Sequence, residues 1–448
     1  MKPWDIKRFS ELVVGDPEFR AALPNNPEEA VRQRGLDVQP APLRCLWDPS
    51  LHSGQDNTQN HPDIQGYFDW RAAQQAEARG WLLHLETATP RSFRSWRTRQ
   101  ANRFATQAAN GRSRRNRLLP FAIELTRGCS IACPYCGLAA PRLSGIARFH
   151  QEDNAECFAE VLQILLDYIG PGAAAGFLYW ATEPFDNPDY EHYLKVYARV
   201  LGIPAQTTTA AWRRNPRRTR AYLHLKERLG GIWDRFSINS LQELHELMDT
   251  YSAFELRNIE VILQNPGSLQ TRYAAGRARS TDPDGQVDSI ACVSGFLINM
   301  VDRSIKLISP CTDFDRWPLG YAVYREADFG SGARAVHEFL QACDKEAFQD
   351  QDDDGYRPVL RNDVERTGGA GCQPLVLRFP FGRTRIAADL HKELVNAIDG
   401  RRTVHDLVVS MRDRHHPAAV YHAFHQLYQY GLFEHLPEPA AGAEQRIG

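Results

Sequence analysis

The 448-residue sequence contains no stretch of 18 uninterrupted apolar residues, so no segment is expected to cross a membrane as a helix. Its first ten residues, MKPWDIKRFS, lack an apolar core. A secretory signal is therefore not expected there, and the cytoplasm is the expected compartment. There is almost no excess of either charge: 53 Lys and Arg stand against 55 Asp and Glu, a net charge of −2. Global charge therefore selects no strongly acidic or basic partner. An even, closely spaced cysteine set is also missing. The nine cysteines are an odd number in a long chain, which speaks against a disulfide framework and for reduced thiols free to bind metal or do chemistry. No internal repeat is visible, and His415, His416 and His422 show no metal-binding spacing with carboxylates. What remains is the composition of a folded protein, with 43% hydrophobic and 10% aromatic residues, long enough for two or three domains.

The pattern changes along the chain. Phe9, Leu12, Val13, Phe19 and Leu23 form a helical face interrupted at Gly15-Asp16-Pro17, in a polar, helical first segment. A basic run follows, with arginines at 91, 94, 97, 99, 103, 112, 114, 115 and 117 interleaved with Phe93, Trp96 and Phe104. Arginines alternating with aromatics can grip RNA phosphates and bases; a solvated helix face or a lining for an acidic peptide is the favoured reading. From Phe121 onward, strands and helices alternate. Phe121–Thr126, Phe177–Trp180, Gln206–Ala210, Phe236–Asn239 and Ile259–Leu263 read as strands, with helical periodicity between them, which predicts a parallel sheet flanked by helices. Phe296–Val301 and Ile305–Ile308 predict a β-hairpin, and Ala335–Phe348 a helix. The last segment, about Leu375 to Leu436, predicts strand–helix–helix–helix–strand, with Thr403 and Asp406 spaced as a capping box.

The chemistry concentrates in Glu124-Leu-Thr-Arg-Gly-Cys129-Ser-Ile-Ala-Cys133-Pro-Tyr-Cys136-Gly137, just past a strand. Three thiolates at this spacing suit three irons of a cubane cluster. With no fourth cysteine in the loop, one iron stays open to a small molecule. Structural zinc would ask for a fourth ligand in a second short pair, and none matches.

Cys-x-x-x-Cys-x-x-Cys after a strand, with Tyr135 before the third cysteine, resembles the signature of the radical S-adenosylmethionine (AdoMet) superfamily. The resemblance implies one [4Fe–4S] cluster on Cys129, Cys133 and Cys136, AdoMet on the open iron, and an external electron donor such as flavodoxin or ferredoxin. It implies an α/β fold: a partial (βα)6 barrel. It further implies AdoMet contacts at Thr182, Glu183 and Pro184, where the family often has Gly-Gly-Glu-Pro; both glycines are replaced here. Ser237 and Asn239 match its ribose contacts, and Gly276 with Arg277 a Gly-Arg-Ala element near the carboxylate.

Ile398-Asp-Gly-Arg-Arg-Thr-Val404 with Gly431-Leu-Phe433 resembles a winged-helix-like peptide-recognition domain, which binds a leader peptide by strand addition. Cys292-x-x-Gly295 and Ser309-Pro-Cys311 resemble the first part of an auxiliary-cluster domain whose cysteine-dense second half is missing, so a complete second cluster is not expected. Phe9–Phe19, Tyr179-Trp180, Arg316–Tyr321 and Gly371-Cys372 together resemble the radical AdoMet peptide epimerases of the proteusin type. That implies conversion of L- to D-residues in a ribosomally made precursor peptide. Cys372 is the first choice of hydrogen donor and Cys311 the runner-up. A thioether- or C–C-crosslinking maturase and an RNA-modifying enzyme are the alternatives. The expected organisation is an N-terminal helical extension (1–118), a barrel core (119–290), a hairpin and linker helix (291–370) and the C-terminal recognition domain (371–448). Neither membrane nor nucleic acid is an expected partner.

Overall fold

The computed structural model describes residues 1–48, 50–51, 61–88, 90–109, 118–231, 233–281, 287–330, 332–348, 354–368 and 375–439. No helix among them is long and apolar enough to cross a membrane.

The architecture is mixed α/β with several sheets. The strands are β1 (Leu119–Glu124), β2 (Thr126–Arg127), β3 (Gly145–Ile146), β4 (Thr208–Thr209), β5 (Asp234–Ile238), β6 (Ile259–Leu263), β7 (Val293–Asn299), β8 (Ser304–Pro310), β9 (Tyr321–Asp328), β10 (Glu365–Gly368), β11 (Leu375–Phe379) and β12 (Gly382–Ile386). β4, β5 and β6 form one parallel sheet. β1 pairs in parallel with β7, which continues into the antiparallel meander β7–β8–β9, so the predicted hairpin forms. Among the described residues the two sheets are linked by backbone pairing only through Phe177, which makes single parallel bridges to Ala122 and Gln206. The continuous barrel implied by the cysteine motif is therefore absent among the described residues. Phe177–Trp180 supplies a bridge rather than a strand, because a 3-10 turn at Pro171–Ala175 delivers the chain and bends take it away after one paired residue.

Strand alternation splits the apolar from the polar face. On β5 and β6, Phe236, Ile238, Ile259, Val261 and Leu263 are buried on the outer side. There they meet Phe9, Leu12, Val13, Phe19 and Leu23 of the N-terminal helices, so the interrupted apolar face seen in the sequence covers the back of this sheet. Each large side chain so buried stabilises by roughly 1.5–3 kcal/mol. A second core joins helices Asn154–Ile169 and Tyr190–Leu201 to β1 and β7, and takes in Cys157 and Cys343 as small apolar residues.

The basic run is not a solvated face. Helix Arg91–Gln107 buries Phe93, Trp96, Arg99 and Arg103. Arg103 donates to Gln100 and Gln107 Oε1, Ser309 Oγ and the Pro310 carbonyl. Arg99 pairs with Glu434 at 2.8 Å. These arginines clamp the C-terminal segment to the β8–β9 hairpin, since buried guanidinium groups must find acceptors. Arg112, Arg114, Arg115 and Arg117 lie outside the described residues.

The C-terminal segment is a three-stranded antiparallel sheet, β10–β11–β12, followed by helices Asp389–Ala397, Val404–Met411 and Pro417–Gln429 around one apolar core. The capping box forms between Thr403 and Asp406. The predicted final strand does not. Leu432 and Phe433 are buried in the core, but Arg361 takes the carbonyls of Gly431 and Leu432 from its side chain and backbone amide. The sheet also takes in Glu365–Gly368, upstream of the boundary expected at 371.

Candidate active site

The three motif cysteines open onto one cavity of about 1130 Å³ on the inner face of the parallel strands. Their loop leaves β1 and is held at both ends. Cys129 N donates to the Pro141 carbonyl at 2.8 Å, and Ser130 N to Asp186 Oδ2 at 2.8 Å. Arg214 adds a bond to Asp186 Oδ1 at 3.0 Å. From the far side, Arg277 N donates to the Cys136 carbonyl at 3.0 Å. Its guanidinium reaches the Cys133 carbonyl at 2.9 Å and that of Ala140 at 2.7 Å. Gly276 and Arg277 thus brace the loop from behind, and neither is among the residues lining the cavity.

The fit of an iron–sulfur cluster rests on donor chemistry. All three sulfurs belong to residues that line the cavity. Ile131 N lies 3.4 Å from Cys129 Sγ and Ala140 N 3.3 Å from Cys136 Sγ, both oriented to donate to a thiolate. Among the described residues no group of three His, Cys, Asp or Glu side chains is already placed around a metal position. Burial, reinforced by nearby Cys129 and Cys136, pushes the Cys133 thiol up to about 12, and burial pushes Cys129 to about 11. Thiols so shifted hold their protons at neutral pH; cluster uptake would release them, so loading is expected to weaken as pH falls.

Around the loop, Thr182, Glu183, Ser237, Asn239 and Tyr135 also line the cavity. Pro184 is buried in a short 3-10 turn and does not. Ser237 and Asn239 sit at the C-terminal end of β5, where open parallel sheets bind ligands. The side chain of Arg272 stands 5.8 Å from the Tyr135 ring. Glu183 is almost fully buried and accepts from Phe185 N, Thr209 Oγ1 and Ala210 N. Glu124, at the head of the cysteine motif, accepts from Ala181 N and Asn299 Nδ2. Burial outweighs these bonds and raises both carboxyls to about 7.

An acid whose pKa is raised on folding contributes stability that is present at low pH and lost as pH rises. The thermal midpoint of the metal-free protein should therefore fall as pH is raised from 4.5 toward 7. Glu183→Gln, neutral throughout, should flatten that slope; an unchanged slope would show that Glu183 titrates normally.

Cys311 is fully buried against Trp317 and Ala322 and does not line the cavity, so the structure does not bring it to the site. Cys372 lies outside the described residues. Cys292 does line the cavity. So does Tyr179 of the Tyr179-Trp180 element, and so do Thr208, Arg235 and Glu260, which the sequence motifs do not mark. The signal was available: in Arg235-Phe-Ser-Ile-Asn239 the polar residues recur at every second position, so the face that carries Ser237 and Asn239 also carries Arg235.

No family model matches the chain. The chain is 31% identical over 388 residues to the uncharacterized protein y4wI of Sinorhizobium fredii, covering 82% of this chain and 74% of that protein. Among solved structures it is similar, with a TM-score of 0.25 and 12% identity, to BtrN in complex with AdoMet and 2-DOIA. That similarity covers 32% of this chain, which spans about half (56%) of BtrN.

Proposed function

The chain belongs to the family of the Sinorhizobium fredii protein y4wI, and we propose that it is a radical AdoMet enzyme that epimerises L-residues to D-residues in a ribosomally made peptide. The observation that carries the first half is that Cys129, Cys133 and Cys136, the whole of the Cys-x-x-x-Cys-x-x-Cys motif, line one large cavity together with Glu183, Ser237 and Asn239. The epimerase half rests on the sequence resemblance.

The three cysteines would hold the [4Fe–4S] cluster, with Thr182, Glu183, Ser237 and Asn239 around AdoMet. When bound, that pair supplies a hydrogen-abstracting radical. The chain has three tasks. The loop braces, Asp186 and Arg277, keep the thiolates aimed at the cavity. The apolar wall of Leu119, Phe177 and Trp180 excludes water from the reacting carbon. A thiol must return a hydrogen atom to the opposite face of that carbon; Cys311 is buried away from the cavity, and the sequence resemblance assigns the role to Cys372. The C-terminal segment, with a sheet edge at β12, would take the leader peptide as an added strand.

The test is mass spectrometry of a candidate precursor incubated in D2O with anaerobically reconstituted protein, AdoMet and reductant. One deuterium at Cα of specific residues, with no other mass change, is the expected result. Cys372→Ala should still cleave AdoMet but give no net epimerisation. Loss of two hydrogens from the peptide would replace epimerisation by crosslinking.

A further inference from the structure

The cavity continues well below the cysteine loop, and its deeper level is charged. Paired residues set that level: Thr208 lies opposite Arg235, and Arg235 opposite Glu260. Tyr179 joins it by accepting from Thr208 Oγ1 at 2.8 Å and donating to Gln206 at 2.7 Å. Ser237 and Ile262 form the next level up. Two residues along a strand separate the levels, about 7 Å. The charged level thus stands beneath the position where the ribose contacts end β5.

Arg235 and Glu260 are joined by Nε and Oε2 at 2.7 Å. That bond uses only one edge of the guanidinium. About a third of each side chain, 36% and 37%, stays accessible, and both line the cavity. An ion pair withdrawn from bulk water contributes little to stability, because desolvation offsets the attraction. Packing therefore gives no reason to keep it here.

At the level of Arg235 the charges do not balance. Lys7 is paired with Glu11 and Arg257 with Glu227. Arg71, from helix Pro62–Ala88, lines the same cavity and acts on Glu260 alongside Arg235. Two guanidinium groups thus face one carboxylate. A site with one positive charge in excess, enclosed and fitted with planar donors, selects a carboxylate.

We infer that Arg235 and Arg71 form a subsite for a carboxylate of the substrate, such as an acidic side chain near the reacting residue. Glu260 holds Arg235 in place and rejects a second negative charge. The inference rests on the peptide-modifying reading for its substrate class; the subsite itself needs only the cavity.

The probes are N-acetyl-aspartate N-methylamide and its asparagine counterpart, which differ by one charge. Their binding to the full-length protein would be followed by the fluorescence of Trp180 and Trp233, both of which line the cavity. The aspartyl probe should bind at least about tenfold more tightly, the worth of one charge-assisted hydrogen bond. Arg235→Gln should abolish that preference and leave AdoMet affinity unchanged. Glu260→Gln should tighten the aspartyl probe, which a purely structural role for the pair does not predict. Should Arg235→Gln not fold, Arg71→Gln should still lower the preference severalfold. Equal binding of the two probes, or binding of neither, overturns the inference. So does a loss of AdoMet affinity in Arg235→Gln, which would assign the level to the cofactor. The preference should persist in metal-free protein, so failure of AdoMet cleavage would sink the radical reading without touching this one.

Discussion

Replacing Gly276 by valine should leave the protein folded but unable to load the proposed cluster. Gly276 has φ +52°, in the left-handed region that a β-branched residue resists. A Cβ there would stand 2.5 Å from the Gly137 carbonyl oxygen and 2.8 Å from that of Cys136. The obstacle is backbone, so the cysteine loop itself must move. That movement would also pull the Arg277 amide from the Cys136 carbonyl and its guanidinium from Cys133 and Ala140. Outer contacts that orient metal ligands are commonly worth about 10–100-fold in affinity. Iron content and cluster absorbance after anaerobic reconstitution should fall by at least that factor, with far-UV circular dichroism unchanged. Arg277→Ala, which removes the brace without the clash, should show a smaller loss. Full iron loading of Gly276→Val would show that the loop is not held from this side.

Arg103→Leu should destabilise the protein by about 3 kcal/mol, since each buried acceptor that loses its donor costs about 1–3 kcal/mol. The Arg103 side chain is fully buried and donates to two glutamines, a serine hydroxyl and the Pro310 carbonyl. Leucine fills much of the space and takes the donor from Gln107 Oε1 and the Pro310 carbonyl, while Gln100 keeps Tyr324 and Ser309 keeps Ser294. The same network reaches Arg361 and Asp363 through Gln107 and Thr106. Urea unfolding should therefore show the C-terminal segment releasing first, as an early transition. A loss under 1 kcal/mol, or a single unshifted transition, would mean that apolar contacts alone dock this segment.

The cysteine motif was legible because its chemistry is local. Three cysteines within eight residues need no distant partner to be recognised, and the strand before them alternates clearly. Thr403 and Asp406 were legible for the same reason: a capping box closes within one turn. Ser237 and Asn239 were found by resemblance, while Arg235, two residues earlier on the same face, was missed. An arginine inside a strand reads as solvent-exposed until the neighbouring strand is known to place Glu260 beside it.

The arginines of helix Arg91–Gln107 show the limit in the other direction. Composition marks them as a basic surface, and tertiary packing turns Arg99 and Arg103 inward onto Glu434 and the β8–β9 hairpin. Cys311 and Cys292 look alike in sequence, each beside a strand. One is sealed against Trp317 and the other borders the cavity.

The sequence by itself determined the cysteine spacing, most of the strand and helix segments of the core and the apolar face of the N-terminal helices. Each of these depends on spacing within a few turns or a few strand residues. Only the tertiary structure decided which arginines are buried, which cysteines reach the cavity, that the sheet breaks at Phe177, and that Arg71 and Arg235 face one carboxylate. These depend on groups far apart in the chain whose charges are neutralised, desolvated or exposed only once the layers have packed.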